Sequence, residues 1–197
     1  MIINNKLVIA MLISITVLML LYIFKQKSVS DIKLVQYALK KYFKDFHDIC
    51  EKNNISYWAD SGTLLGAVRE KGMIKHDDDV DICVNEKDLL RLLEVYKDNS
   101  EYHITPDKLE KGAIYKLKRR GISSVFIDIF IVDRKGDIIK YRDWDKIWPN
   151  AYYKDEEIFP LKKVEFEDFY IYAPNNPLPY LERQYGNWKI PDDYGRH

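Results

Sequence analysis

Only two cysteines occur among 197 residues, which excludes a disulfide-stapled scaffold. Cys50 and Cys83 form no recognisable metal-binding spacing and read as two buried free thiols, with a single bridge between them as the alternative. Charge of either sign is not in excess, since thirty-one basic residues balance thirty-one acidic ones. Nonspecific nucleic-acid binding rests on neutralisation of phosphates by surplus Lys and Arg, so no nucleic-acid partner is expected. Internal repeats are absent, as is any low-complexity linker apart from residues 25–30. At 47% hydrophobic and 14% aromatic, the chain can build one domain with a sizeable core.

One long stretch carries no charge at all. Residues 7–24, LVIAMLISITVLMLLYIF, would make a helix about 27 Å long, just under the roughly 30 Å hydrocarbon core of a bilayer. The stretch is read as an uncleaved transmembrane anchor; a signal peptide cleaved near Ser28-Val29-Ser30 is the alternative. The expected organisation is an anchor and short linker over residues 1–30 and a catalytic domain over 31–197. Charge beside the anchor, Lys6 against Lys25, Lys27 and Lys33, leans towards a cytosolic domain.

From Asp31 the apolar residues recur at helical spacing: Ile32, Val35, Leu39, Tyr42, Phe43, Phe46, Ile49 and Cys50. Asn53-Asn54 stops this helix, and residues 55–58 read as the first core strand. A short helix is expected over about 63–70 and a strand over 80–84. Asn85 then serves as N-cap, with Asp88 in the capping-box position, for a helix that packs through Leu89, Leu92, Leu93 and Tyr96. Residues 113–117 and 124–132 read as a hairpin turning at 118–121. The last third is rich in aromatics and reads as core.

The chemistry concentrates in residues 57–84, YWADSGTLLGAVREKGMIKHDDDVDICV. Asp79 and Asp81 fall on one face of a strand, opposite Val80, Ile82 and Val84. Two carboxylates pointing the same way repel unless a cation lies between them, and an oxygen-only set suits Mg²⁺ or Mn²⁺. Ser61-Gly62-Thr63 opens a helix whose backbone N–H groups favour a phosphate. Asp128 interrupts the apolar run 125–132, where a charge needs either a Lys or Arg partner or a metal. Beside the acidic pair, the metal reading is the better one. Lys116, Lys118, Arg119 and Arg120 read either as a solvated hairpin tip or as contacts to a diphosphate.

The run SGTLLGAVREKG followed by DDDVDI resembles the LicD-type phosphotransferases, the group that includes fukutin and the fukutin-related protein, within the nucleotidyltransferase superfamily. Residues 126–130, FIDIF, resemble that family's second acidic strand, and residues 159–191 its C-terminal signature. The resemblance implies an α/β nucleotidyltransferase (DNA polymerase β-like) fold, a small mixed sheet flanked by helices, here preceded by the transmembrane helix. It implies metal-dependent transfer of a phospho-alcohol, phosphocholine or alditol phosphate, from a CDP-linked donor to a glycan hydroxyl. Asp79, Asp81 and Asp128 would hold the metal; Ser61, Gly62, Thr63, Arg69, Lys116 and Lys118 would meet the donor phosphates. Residues 176–185 would form a helix near the site, capped by Gly186. It also leans towards a lumenal domain on a single-pass membrane protein. Nucleotidyl transfer, and an inactive membrane-anchored binding protein of the same fold, are the two alternatives.

Overall fold

The computed structural model describes residues 5–108, 112–122, 124–143 and 147–190, with side chains left undescribed at 5–12 and 23–30. Contacts divide the chain into two units, residues 1–35 and 36–197. Helix α1 spans Asn5–Asn53. In the first unit its described side chains at 13–22 are exposed, Ile13, Leu18 and Leu21 by 60% or more. Among the described residues no helix is long and apolar enough to cross a membrane. The expected transmembrane anchor at 7–24 is thereby corrected, and with it the single-pass membrane placement and the lumenal domain. The remainder of that stretch, 7–12 and 23–24, lies outside the residues with described side chains.

The second unit is a mixed α/β structure. Its elements after α1 are β1 (Trp58–Ala59), α2 (Ser61–Arg69), β2 (Val80–Asn85), α3 (Glu86–Tyr96), β3 (Tyr102–Pro106), β4 (Ile114–Arg119) and β5 (Phe126–Lys135). They continue with β6 (Ile138–Tyr141), β7 (Tyr152–Lys154), α4 (Asp155–Ile158), β8 (Lys162–Phe166), β9 (Phe169–Ala173) and α5 (Leu178–Tyr185). The main sheet runs β1-β2-β5-β4-β3, with β6 on the far end of β5 and β7 on β6. Among the described strands of this sheet only the β2–β5 pair is parallel. A parallel pair needs a crossover, and α3 with the β3–β4 hairpin supplies it.

Alternation along the two parallel strands sorts core from site. Val80, Ile82 and Val84 are fully buried, as are Ile127, Ile129 and Ile131. Asp81 and Asp128, one residue out of phase with these sets, project from the opposite face. The N-cap of α3 forms as its sequence predicts, with the Asp88 N–H donating to the Asn85 side chain at 2.8 Å. Both thiols are free and buried.

Residues 36–53 of α1 pack through aromatic edges. Phe43 meets Tyr57, Phe166 and Phe169 at centroid distances of 6.1, 5.4 and 5.9 Å, which ties the β8–β9 hairpin to this end of the sheet. Gln36 donates through Nε2 to the carbonyls of Ile74 (2.9 Å) and Asp77 (2.8 Å). These bonds fix the loop that delivers the acidic run.

Candidate active site

Register brings the acidic residues together. In the parallel pair Asp81 lies opposite Asp128, and on the other side of β5 Asp128 lies opposite Lys116. Asp79 precedes Asp81 by two residues and shares its side of the chain. One carboxylate oxygen from each of Asp79, Asp81 and Asp128 lies within 4.8 Å of the others, each residue half-buried. Lys116 Nζ donates to Asp128 Oδ1 at 2.5 Å and stands 3.6 Å from Asp107. The lysine and cluster readings of Asp128 therefore hold together: it has its lysine and also faces the other two aspartates.

Burial, reinforced by the charges of Asp79 and Asp128, holds the Asp81 proton well above the usual carboxylate range. Asp128 is also raised by burial, in spite of Lys116. Asp77 is pushed up to about 7, first by burial and then by the charge of Asp79 and a hydrogen bond with it. Burial leads all three shifts, and the charge of a neighbouring aspartate adds to each. Oxygen-only donors in this number and spacing fit a hard divalent ion, which would relieve the crowding.

Helix α2 shows why its sequence reads SGTLLG. Ser61 has φ +44, with its Oγ 3.3 Å from Asp60 Oδ2 and 3.3 Å from the Tyr141 hydroxyl. At Gly62 a Cβ would sit 2.9 Å from Asp77 Oδ2, so glycine admits the Asp77 carboxyl against the first turn of the helix, where N–H groups favour an anion. Asp77 itself is 5% exposed. At Gly66 a Cβ would meet the Gly72 carbonyl oxygen at 2.3 Å. The return of the chain after α2 passes over that bare position.

The structure does not bring every expected phosphate contact to one place. Ser61 joins the three aspartates in lining a cleft of about 580 Å³. The Thr63 hydroxyl instead accepts from the Asp81 N–H at 2.9 Å and is buried, holding β2 to α2. Arg69, at the opposite end of α2, bonds the Trp188 carbonyl at 3.0 Å and Glu70 at 2.7 Å. Lys118 projects beside β3, with its ammonium 5.7 Å from the centre of the Phe126 ring.

Of the rest of the cleft, Gln184 and Tyr185 lie on the helix expected near the site, whereas sequence reading missed Ile114, Phe130, Tyr141 and Trp148 as lining residues. Phe130, Tyr141 and Trp148 form one aromatic wall, with centroids 5.0 to 6.3 Å apart. Gln184 and Tyr185 come from α5, which Gly186 ends at φ +62. Also missed was Asp60, fully buried and bonded by the hydroxyls of Tyr141 and Tyr153, with Tyr180 3.2 Å from Tyr141. Its sequence signal was a lone Asp inside an apolar stretch, directly before Ser61.

Comparison with known proteins agrees with this geometry. An uncharacterised protein of Rickettsia typhi is 36% identical over 155 residues, covering 77% of this chain and 46% of the relative. The lipopolysaccharide cholinephosphotransferase LicD of Haemophilus influenzae is 32% identical over 103 residues, covering 45% of this chain and 39% of LicD. The human ribitol 5-phosphate transferase FKRP is 23% identical over 154 residues, covering 76% of this chain and 31% of FKRP. The chain thus spans about half or less of the length of these relatives. Residues 54–176, from the turn before β1 to the turn after β9, match the family described as LicD/FKTN/FKRP, nucleotidyltransferase domain. That match contains Ser61 and all three clustered aspartates and extends over more than half of the sequence: the chain belongs to the LicD family.

Proposed function

We propose that the protein transfers a phospho-alcohol, of the choline phosphate or ribitol phosphate type, from a CDP-linked donor to a hydroxyl of a glycan, with Mg²⁺ or Mn²⁺ held by Asp79, Asp81 and Asp128. The observation that carries the reading is the convergence of these three carboxylates, 4.8 Å or less apart, in a cleft that Ser61 also lines. Family membership supports the transfer chemistry, since two relatives are named for choline phosphate and ribitol phosphate transfer. When bound, the ion supplies positive charge against the diphosphate oxygens and the departing CMP.

The protein groups divide the remaining work. Asp79 and Asp81, set by one strand, and Asp128, set by the next, fix where the donor phosphorus lies. Ser61 offers a hydroxyl at the start of α2, and the Phe130, Tyr141 and Trp148 wall offers rings on which a base can stack. The acceptor oxygen forms a bond to phosphorus as the bond from phosphorus to CMP breaks, and CMP leaves with that electron pair. The hydroxyl proton passes to a carboxylate of the cluster. Asp128, the member beside Lys116, takes this role.

The test is direct. The whole chain is incubated with Mg²⁺, a mixed glycan acceptor and CDP-choline, CDP-ribitol or CDP-glycerol, and CMP is measured with and without chelator. Metal-dependent CMP release from one donor supports the reading. Release of pyrophosphate from CTP, with no CMP from any CDP-alcohol, would replace it with nucleotidyl transfer.

A further inference from the structure

Beside the cleft lies a larger hollow, about 860 Å³, lined by β3, β4 and the turns that flank them. Lys116 pairs in register with Asp128 and Thr105, and Lys118 with Phe126 and His103. The period-two rule therefore sends Lys116, Lys118, Thr105 and His103 out of the sheet face that carries Asp81 and Asp128. Cleft and groove meet at the Lys116–Asp128 pair, since Lys116 lines one and Asp128 the other.

The groove concentrates positive charge in a protein whose formal net charge is zero. Among the described residues Lys108, Lys116, Lys118 and Arg119 line it, against a single carboxylate, Asp107. Lys116 is neutralised by Asp128 and Asp107, and Arg119 by Glu101 at 3.1 Å. Lys108 and Lys118 have no carboxylate within ion-pair distance among the described residues. His103, half-buried, also lines the groove. A concavity with two ammonium groups that no described carboxylate pairs attracts an anion.

We propose that this groove is the acceptor subsite, and that it takes an anionic sugar by its phosphate or carboxylate group. The inference rests on the proposed function in one respect, that transfer occurs at the aspartate cluster. Displacement at phosphorus places the attacking and leaving oxygens in line on opposite sides of it. A donor whose phosphorus sits at the cluster, with its nucleotide in the cleft, presents its free side to the groove. Lys118 and Lys108 then hold the acidic group of the acceptor while a hydroxyl of the same molecule reaches the cluster.

The test measures binding by the whole chain, so it stands apart from turnover. Glucose 6-phosphate, glucuronate and neutral glucose are titrated by calorimetry at low salt, with CDP plus Mg²⁺ as a probe of the cleft. At least one acidic sugar is expected to bind and glucose not to; the tighter of the two identifies the group recognised. Lys118→Glu should weaken that binding by about tenfold or more, as loss of a charge-assisted contact does, while CDP affinity stays within about twofold. Lys118→Arg should retain it. Should Lys118→Glu melt far below the parent, Lys108→Glu, at an exposed position, replaces it. Equal binding of glucose, unchanged binding in the Glu variants, or loss of CDP binding in step with sugar binding would overturn the proposal. Absence of CMP release from every CDP-alcohol would sink the proposed function and leave these binding results intact.

Discussion

Two sets of acidic residues sit within one hydrogen bond of each other along the chain, yet they have opposite characters. Asp60 is fully buried, and the hydroxyls of Tyr141 and Tyr153 bond it. Asp79, Asp81 and Asp128 are only half-buried and have one ammonium, Lys116, among three carboxylates. The Asp60 backbone N–H even donates to the Asp81 carbonyl at 3.0 Å. A carboxylate whose lone pairs are filled by the protein serves the fold, because removing it strands its donors. Carboxylates left facing one another cost stability and are retained where a ligand completes them.

Asp79→Asn should break the comparison most widely. Asparagine keeps the shape but removes one of three mutually repelling charges. Metal-dependent CMP release should fall by about three or more orders of magnitude, because the charge facing the leaving group is lost. The melting temperature without metal should stay level or rise slightly. Addition of Mg²⁺ should raise the melting temperature of the parent and not of the variant, as ligand linkage requires. Full activity in Asp79→Asn would remove the cluster from the chemistry, and an unfolded variant would give it a structural role.

Asp60→Ala tests the other side. It leaves the Tyr153 hydroxyl, on a residue only 2% exposed, without its acceptor, and the Tyr141 hydroxyl with only the longer contacts to Ser61 and Tyr180. At about 1–3 kcal/mol for each stranded group, a loss of roughly 3 kcal/mol is expected. In a domain of this size that lowers the melting temperature by about 6–12 °C. The Mg²⁺ shift should survive in the folded protein. Stability equal to the parent would show that the tyrosines find other partners, and the contrast between the two acid sets would fail.

How far the sequence disclosed these two sets depends on separation along the chain. Asp79 and Asp81 were legible because a strand alternates, and Asp128 because a charge inside the apolar run 125–132 demands a reason. The α3 cap and the β4–β5 hairpin were legible for similarly local reasons. The tyrosines around Asp60 lie 81 and 93 residues away from it, on short strands β6 and β7 that were not foreseen. Nothing local distinguishes Tyr141 or Tyr153 from any other core aromatic, so the network and the aromatic wall came only with the fold. Thr63 and Arg69 looked like phosphate contacts because they share a motif with Ser61, but a nine-residue helix turns them to other tasks. The anchor reading is corrected on other grounds, since among the described residues no helix is long and apolar enough to cross a membrane.

The same motif can be divided by Gly66→Ala. A Cβ there would approach the Gly72 carbonyl oxygen to 2.3 Å, and backbone cannot step aside as a side-chain tip can. Overpacking of this kind costs about 1–3 kcal/mol. The variant should melt several degrees below the parent while its folded fraction turns over with nearly the parent KM, because Gly66 faces the returning chain and not the cleft. A KM raised in proportion to the loss of stability would place Gly66 in the substrate site instead.

The smallest effect comes from a third buried polar group, which extends the contrast to titration. His47 is 7% exposed, with Nδ1 2.8 Å from the Tyr57 hydroxyl. Burial lowers its proton affinity below the ordinary value; Glu51 opposes this and Lys163 assists it. The neutral ring is thus the form that the fold accommodates. As pH falls through about 6.5 the unfolded chain takes up a proton before the folded one does, so this part of the stability is present above that pH and is lost below it. The crowded aspartates act in the opposite sense, since their raised proton affinity favours the fold at low pH and that contribution is lost as pH rises. Comparing the parent with His47→Gln at each pH cancels the aspartates and leaves the histidine. The melting-temperature advantage of the parent should be larger at pH 8 than at pH 5.5, by about a degree or two for a fraction of a kcal/mol. An advantage that does not change with pH would mean that His47 is not held neutral by burial, and its bond to Tyr57 would then be packing alone.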